Sequence, residues 1–385
     1  MKFLNKIASV FIVSAMLSGL GGCAQHESKE LIFAGTFDGE GSEGLYVFSF
    51  DRKNLTFELL QTISDRVAPS FQAVHPKMPV LYSASRSTLS GQSDHQTISA
   101  YRADRDTGRL SLINEQSAMG ISPAHVSVDP LGSFVFVSNY NTGNVSMFPI
   151  RDDGGLEEAS DVVQHSGSSI NPRRQQTAHA HAADPSPDGR FLYVSDLGID
   201  KIMIYEIDRQ HGKLSPAATP WFEHTPGAGP RHLSFRPDGA FAYSAEELSS
   251  TVAVLRVDKN TGALQQIQRI PMLPDDFDGN STAADIHVSP DGKFLYASNR
   301  GHESIVIYAI DEPTGELTLV GHEPTIGEHP RNFMIDDKGE FLLVANRFNN
   351  HIVLFRRDPM TGLLEFTGTE VTVPVAVCIT SMILD

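Results

Sequence analysis

Cysteine is almost missing from this sequence. Its 385 residues hold two, Cys23 and Cys378, so a disulfide scaffold is excluded and the core alone must hold the fold. Basic residues are also scarce. Thirty Lys and Arg stand against 47 Asp and Glu, a net charge of −17, and no basic tract occurs. That balance argues against nucleic-acid binding, which needs a clustered positive surface to neutralise phosphates. It also means that an anionic small substrate would need a local cationic site working against the overall field. Helical periodicity is absent beyond the first residues. Long apolar runs are absent too, apart from Ile7 to Leu20, which at 14 residues is too short to span a bilayer comfortably.

That run follows Lys2 and Lys6 and ends in Leu20-Gly21-Gly22-Cys23. A basic start, an apolar centre and small residues before a cysteine form a secretory signal with a bacterial lipobox. The expected organisation is a lipoprotein signal peptide over 1–23, lipidated at Cys23, and one domain over 24–385. Ala24 stands where an inner-membrane retention signal would carry Asp. The expected location is therefore the cell envelope, lipid-anchored at the outer membrane and facing the periplasm, with no other membrane contact. With Cys23 acylated no intrachain disulfide can form, and Cys378 reads as a buried small hydrophobe.

The rest of the chain repeats. An apolar stretch ending in a small residue recurs at Leu31-Ile32-Phe33-Ala34-Gly35, Leu81-Tyr82-Ser83-Ala84-Ser85 and Val135-Phe136-Val137-Ser138-Asn139. It returns at Leu192-Tyr193-Val194-Ser195-Asp196, Ala242-Tyr243-Ser244-Ala245-Glu246, Leu295-Tyr296-Ala297-Ser298-Asn299 and Leu342-Leu343-Val344-Ala345-Asn346. The copies are 47 to 57 residues apart. Asp-Gly turns precede several, as at Asp188-Gly189, Asp238-Gly239 and Asp291-Gly292, and each copy is followed by a second β run and a Thr-Gly turn. Four strands in about 50 residues, seven times over, predicts an all-β, seven-bladed β-propeller with four antiparallel strands per blade. The first copy starts at its second strand, and Val375 to Leu384 is an apolar run with nothing after it. The ring is therefore expected to close with the C-terminal strand in the first blade, which leaves no open edge.

Strand parity then sorts the loops. With strands A to D counted outward from the axis, the A–B and C–D turns share one face of the disc. The B–C loops and the D-to-A connections share the other, where a concave pocket is expected. That face collects His179-Ala180-His181 after a long connection, Gly229-Pro230-Arg231-His232, His329-Pro330-Arg331, Glu246-Glu247 and Asn299-Arg300-Gly301-His302. Arg forks bind carboxylate or phosphate, and His or Glu can move protons. Each has a plainer reading. His179 and His181, two apart on a strand, point to one side, and either can hydrogen-bond within the core. Arg231, Arg300 and Arg331 can be inter-blade ion pairs, and Glu247 a solvated loop charge. The adjacent carboxylates Glu246 and Glu247 are expected to raise one another's pKa. Trp221, in the loop before Gly227, reads as a packing residue rather than a sugar platform.

At these residues a resemblance emerges. His165-Ser166-Gly167, Asn171-Pro172-Arg173-Arg174-Gln175, His179-Ala180-His181, Asp196-Leu197-Gly198, Gly229-Pro230-Arg231-His232, Ala283-Ala284-Asp285-Ile286 and Ser298-Asn299-Arg300-Gly301-His302 resemble, in order, the signature elements of the seven-bladed lactonase family. That family includes 6-phosphogluconolactonases and fungal muconate-lactonising enzymes. In the latter a His, two Arg and a Glu form the proposed catalytic set. The resemblance carries these to His181 (rather than His179), Arg231, Arg300 and Glu247, with His179, His232, Asn299, His302 and Arg331 as substrate contacts. It implies a lactone hydrolase acting on an anionic sugar-acid or related lactone, without a redox cofactor or obligatory metal. The alternatives are a non-catalytic envelope binding propeller, a muconate-type cycloisomerase, and a calcium-dependent sugar lactonase using Glu247, Asn139 and Asp196.

Overall fold

The computed structural model describes residues 29–39, 41–88 and 96–384; the lipobox and Cys23 lie outside them. The described chain forms seven four-stranded antiparallel sheets. Among the described residues no helix is long and apolar enough to cross a membrane. Six sheets run in chain order from an inner to an outer strand. The first blade departs from this: its inner strand is Ala376–Leu384, paired antiparallel with Lys29–Thr36 from Lys29↔Leu384 to Thr36↔Ala376. The expected closure is what the chain adopts.

The second strand of each blade lies between two strands within its sheet and between two neighbouring sheets. Phe191–Asp196, Phe241–Glu246, Phe294–Arg300 and Phe341–Asn346 are accordingly buried at every position. A strand buried on both faces reads as an uninterrupted apolar run, which is why these seven copies were visible in the sequence. Outer strands such as Lys213–Glu223 alternate with solvent and leave a weaker trace. Trp221 belongs to that outer strand rather than to a loop, 43% exposed with the Lys201 ammonium 4.5 Å from its ring centre. It lies outside the channel-mouth lining, and its ring packs against the Lys201 side chain.

Apolar burial is divided among the interfaces between blades. One cluster joins Tyr243, Val252 and Val254 of the fifth blade to Ile286, Leu295 and Val306 of the sixth. Another joins Phe341, Leu343 and Leu354 of the seventh to Ile32, Phe48 and Phe50 of the first. Polar ties repeat around the ring. The Tyr82, Tyr193, Tyr243 and Tyr296 hydroxyls donate to the carbonyls of Gly154, Gly262, Gly315 and Gly362 in the next blade's outer turn, at 2.7–3.1 Å. Gly262 sits at φ +74 with the Phe191 ring so close that a Cβ would meet its Cδ1 at 2.7 Å. This turn needs glycine both for its backbone and for the neighbouring blade's approach. At the closing interface Arg52 reaches Glu30 at 2.9 Å, Asp336 at 2.5 Å and Glu340 at 2.6 Å.

Two outcomes follow. Ending the chain at Val375 removes the inner strand of the first blade, and thermal denaturation of that truncation should show no cooperative transition. Gly262→Ala should destabilise the protein by about 2 kcal/mol or more, from left-handed backbone strain plus overpacking, read from the shift of the same transition in denaturant.

Candidate functional site

The inner strands are not regular at their first residues, and this irregularity makes the site. In the fourth blade Ala180 pairs with Asp196 and Ala182 with Ser195, so His181 is an extra, unpaired residue. The same bulge isolates Arg231 between Pro230 and His232, and Arg331 between Pro330 and Asn332. In the sixth blade it holds two residues, Ala284 and Asp285. In a regular strand neighbouring side chains face opposite ways; a bulge re-aims them. Consecutive residues such as Arg231 and His232 therefore both line the channel mouth. The bulge also overturns the expectation that His179 and His181 share a side. His181 enters the pocket, whereas His179 stacks on Tyr140 at 4.4 Å between ring centres and donates Nδ1–H to the Tyr140 carbonyl at 2.9 Å.

The pocket at this mouth has a volume of about 660 Å³. Its lining includes five arginines (Arg86, Arg174, Arg231, Arg300 and Arg331) and one carboxylate, Glu247. Glu247 is the hub. Its Oε1 accepts from Arg174 Nη2 at 2.6 Å, and its Oε2 lies 3.1 Å from both Arg231 Nε and Arg300 Nη2. Burial alone would raise its pKa, but Arg300, Arg231 and Arg174 together hold the carboxyl far below the usual range. Arg231 is 2% exposed; burial and the charge of Arg300 bring it down to about 10, against the pull of Glu247. Arg231 Nη1 and Arg300 Nη2 are each anchored on a backbone carbonyl at 2.5 Å, of Ala284 and Ala283 respectively. These guanidinium groups are thus fixed by groups that leave most of their charge unspent.

The opposite wall of the pocket comes from the seventh, first and second blades. There the Phe37 ring is flanked by Arg86, Arg331 and Arg347, each with its guanidinium carbon 4.9–5.0 Å from the ring centre. Arg86 reaches Asp38 at 3.4 Å, but Arg331 and Arg347 have no ion pair among the described residues. Burial and the charges of Arg231 and Arg300 push Arg331 well below its ordinary pKa. A half-buried guanidinium beside like charges and without an ion pair favours an anion.

The structure brings six of the nine expected residues into this pocket: His181, Arg231, His232, Glu247, Arg300 and Arg331. It leaves out His179, Asn299 and His302. Asn299 is fully buried and its Nδ2 donates to the Met272 carbonyl at 3.0 Å. That contact is a repeat feature. Asn139 does the same to Ala118 at 2.8 Å and Asn346 to Thr325 at 2.8 Å, while Asp196 and Glu246 accept from His165 and His224 at 2.8 Å. In these five blades the polar residue closing the second strand is a clasp on the connection that arrives from the preceding blade's outer strand. His302 bonds Ser304 Oγ at 2.7 Å and packs edge-on against Phe277. Glu246 does not raise Glu247. Against its burial, His224, Thr251 and Arg269 bring Glu246 down to about 2, because successive carboxylates leave the strand toward different partners. Nor do Glu247, Asn139 and Asp196 make a common calcium cradle, each being engaged as described. Two residues absent from the expected set are prominent here: Arg174, which grips Glu247 and bonds the Tyr140 hydroxyl at 3.2 Å, and Phe37. Arg174 lies within a family element, Asn171-Pro172-Arg173-Arg174-Gln175, that carries no spacing signal for a role; Phe37 lies in a stretch with no repeat signal.

The family model described as lactonase, 7-bladed beta-propeller, matches residues 31–381. This chain belongs to that family. It is 36% identical over 309 residues to a 6-phosphogluconolactonase of Bacillus subtilis, covering 80% of this chain and 86% of the relative. It is 39% identical over 312 residues to a 6-phosphogluconolactonase of Formosa agariphila, covering 79% and 86%. The solved structure of a Pseudomonas aeruginosa periplasmic gluconolactonase superposes with a TM-score of 0.86 at 32% identity, over 93% of this chain and all of that one.

Because the folded pKa of Glu247 is depressed, its contribution to stability is present above the unfolded carboxylate value of about 4.3. It is lost as pH falls toward the folded value. Glu247→Gln leaves three guanidinium groups without their shared anion. The variant should lose about 3–5 kcal/mol at pH 7 and show a shallower loss of stability on acidification, measured by denaturation across pH.

Proposed function

We propose that this protein is a lactone hydrolase whose substrate is an anionic sugar-acid lactone or a related lactone. The observation that carries the reading is the charge of the pocket: five guanidinium groups against one carboxylate, in a chain of net charge −17. Such a mouth concentrates anions that the rest of the surface repels. Membership of the lactonase family and the names borne by its relatives support the choice of reaction.

The chemistry asked of the site is addition of water to an ester carbonyl, with negative charge developing on the carbonyl oxygen. Arg231 and Arg300, held in place on backbone carbonyls and Glu247, supply fixed positive charge for that oxygen. Preorganised stabilisation of this kind is usually the largest catalytic contribution. Arg331, with Arg347 and Arg86 around Phe37, takes the substrate's anionic group, and a neutral imidazole takes the proton from water. His181 and His232 both line the pocket, and burial together with neighbouring arginines keeps both neutral at pH 7.

We also propose that acylation at Cys23 tethers the domain to the outer membrane facing the periplasm. The lipobox supports this, as does likeness to a relative named as periplasmic.

Mature protein should hydrolyse an anionic lactone well above the buffer rate, and Arg300→Ala should lower kcat by about 10²–10³-fold in an acid-release assay. Arg331→Gln should raise KM for an anionic lactone while leaving a neutral one nearly unaffected. A wild type no faster than buffer across sugar-acid lactones, with and without phosphate, would refute the reading. Cys23→Ser should abolish incorporation of labelled fatty acid and move the protein from the membrane to the soluble fraction.

A further inference from the structure

We propose that His232 is the water-activating base and Asp285 the residue that positions it, with Arg231 covering the base until an anionic substrate takes up its guanidinium. The assignment rests on the lactone-hydrolase reading above.

The geometry fixes the tautomer. His232 Nε2 lies 3.1 Å from Arg231 Nη1, and its Nδ1 lies 2.6 Å from Asp285 Oδ1. A guanidinium has donors only, so Nε2 carries the lone pair and Nδ1–H donates to the carboxylate. Asp285 is itself immobilised, since its Oδ2 accepts from Asn332 Nδ2 at 2.5 Å, His287 Nε2 at 3.0 Å and the Phe333 N–H at 3.2 Å. A fixed carboxylate on Nδ1–H, with the Nε2 lone pair facing a pocket, is the arrangement of histidines that take a proton from a nucleophile. The bulge of the sixth blade makes it possible by turning Asp285 inward beneath His232. His181 has none of this support. Among the described residues its Nδ1 is buried without a hydrogen-bond partner, and its ring packs edge-on against His232 and Tyr140, at 5.1 and 5.6 Å.

The groups facing His232 come from every side. Arg231 shares its strand, Glu247 its blade, His125 the third blade, and His181 and Asp184 the fourth. Asp285, His287 and Arg300 come from the sixth blade and Arg331 from the seventh. Burial and the charge of Arg231 bring His232 down to about 4, with Asp285 pulling the other way. In this arrangement His232 is a neutral but weak base with its lone pair occupied. An anionic substrate whose carbonyl oxygen lies on Arg231 changes both conditions. It draws Nη1 off Nε2, and it cancels the charge that suppressed the imidazole.

The step balances without a co-reactant. The water oxygen bonds to the carbonyl carbon as its proton passes to His232 Nε2. The carbonyl electron pair moves to oxygen between Arg231 and Arg300. Collapse re-forms the carbonyl and breaks the ring C–O bond, whose oxygen takes the proton back from Nε2. The product is a hydroxy acid, which ionises to solvent.

The test compares wild type, His232→Gln, Asp285→Asn and His181→Gln on one anionic lactone across pH. His232→Gln and Asp285→Asn should lower kcat by about 10²–10⁴-fold with KM little altered, and His181→Gln by less than about 5-fold. In wild type the acid limb of kcat should lie at higher pH than that of kcat/KM, which reports the free enzyme, and His232→Gln should lose both limbs. Added imidazole should restore part of the rate to His232→Ala, an effect no packing role provides. Should Asp285→Asn not fold, the His232 variants decide. An unchanged pH profile in His232→Gln, or collapse in His181→Gln with His232→Gln active, overturns the assignment while hydrolysis stands. A wild type inert toward every lactone overturns both.

Discussion

The pairing of Lys29–Thr36 with Ala376–Leu384 is the constraint on which the rest depends. Every blade–blade interface is an apolar sandwich, and a ring with one missing strand would expose one such face to water. Closure also sets the radius of the axial hole. It brings the beginnings of the inner strands, which lie some 50 residues apart in sequence, within reach of one small molecule. No single blade holds a site. His181 belongs to the fourth, Arg231 and Glu247 to the fifth, Arg300 to the sixth and Arg331 to the seventh. The carboxylate of Glu247 is gripped by guanidinium groups from three separate segments, so the electrostatics of the pocket exist only when the ring is complete.

Within that frame the pocket is organised by incomplete neutralisation. Glu247 orders Arg174, Arg231 and Arg300 but supplies one negative charge to three positive ones, and the Phe37 wall adds guanidinium groups with only Asp38 nearby. A fully paired network would be more stable and inert toward an anion. A network without Glu247 would leave the guanidinium groups mutually repelling and unplaced. One carboxylate fixes their positions while leaving the excess charge that a reaction developing an oxyanion requires.

Much of the fold was legible because strands buried on both faces print themselves as continuous apolar runs and Asp-Gly turns mark the hairpins between them. Four strands per blade, seven blades and the closing strand followed from those two signals and from strand parity. The site was legible in part. Arg231 and Arg331 were announced by Pro-Arg at the start of an inner strand, and Glu247 and Arg300 by their position at or just past the end of a second strand. What was not legible depended on features without a local signature. A bulge at His181 cannot be seen in a sequence whose period-two reading puts His179 on the same side. Arg174 reaches Glu247 from a long connection of no regular structure, and Phe37 acquires its three arginine neighbours only through closure.

The misplacement of Asn299 points to a sharper way of reading such a chain. Asn139, Asp196, Glu246, Asn299 and Asn346 occupy one position of the repeat, and each ties its second strand to the connection arriving from the preceding blade's outer strand. A polar residue recurring at equivalent positions answers a need of the repeat, namely pairing the buried polar groups of that connection, backbone carbonyls in three blades and a histidine ring in two. The bulge position behaves in the opposite way. Its occupants in six of the seven blades are Val377, Ala124, His181, Arg231, the Ala284-Asp285 pair and Arg331, apolar on one side of the ring and polar or charged on the other. The backbone there is repeated in six blades while the side chain varies, so the same local geometry presents an apolar group, an imidazole, a carboxylate or a guanidinium at different stations around the axis. In a ring of near-identical blades, structure resides in what recurs, and a substrate can be recognised only by what does not.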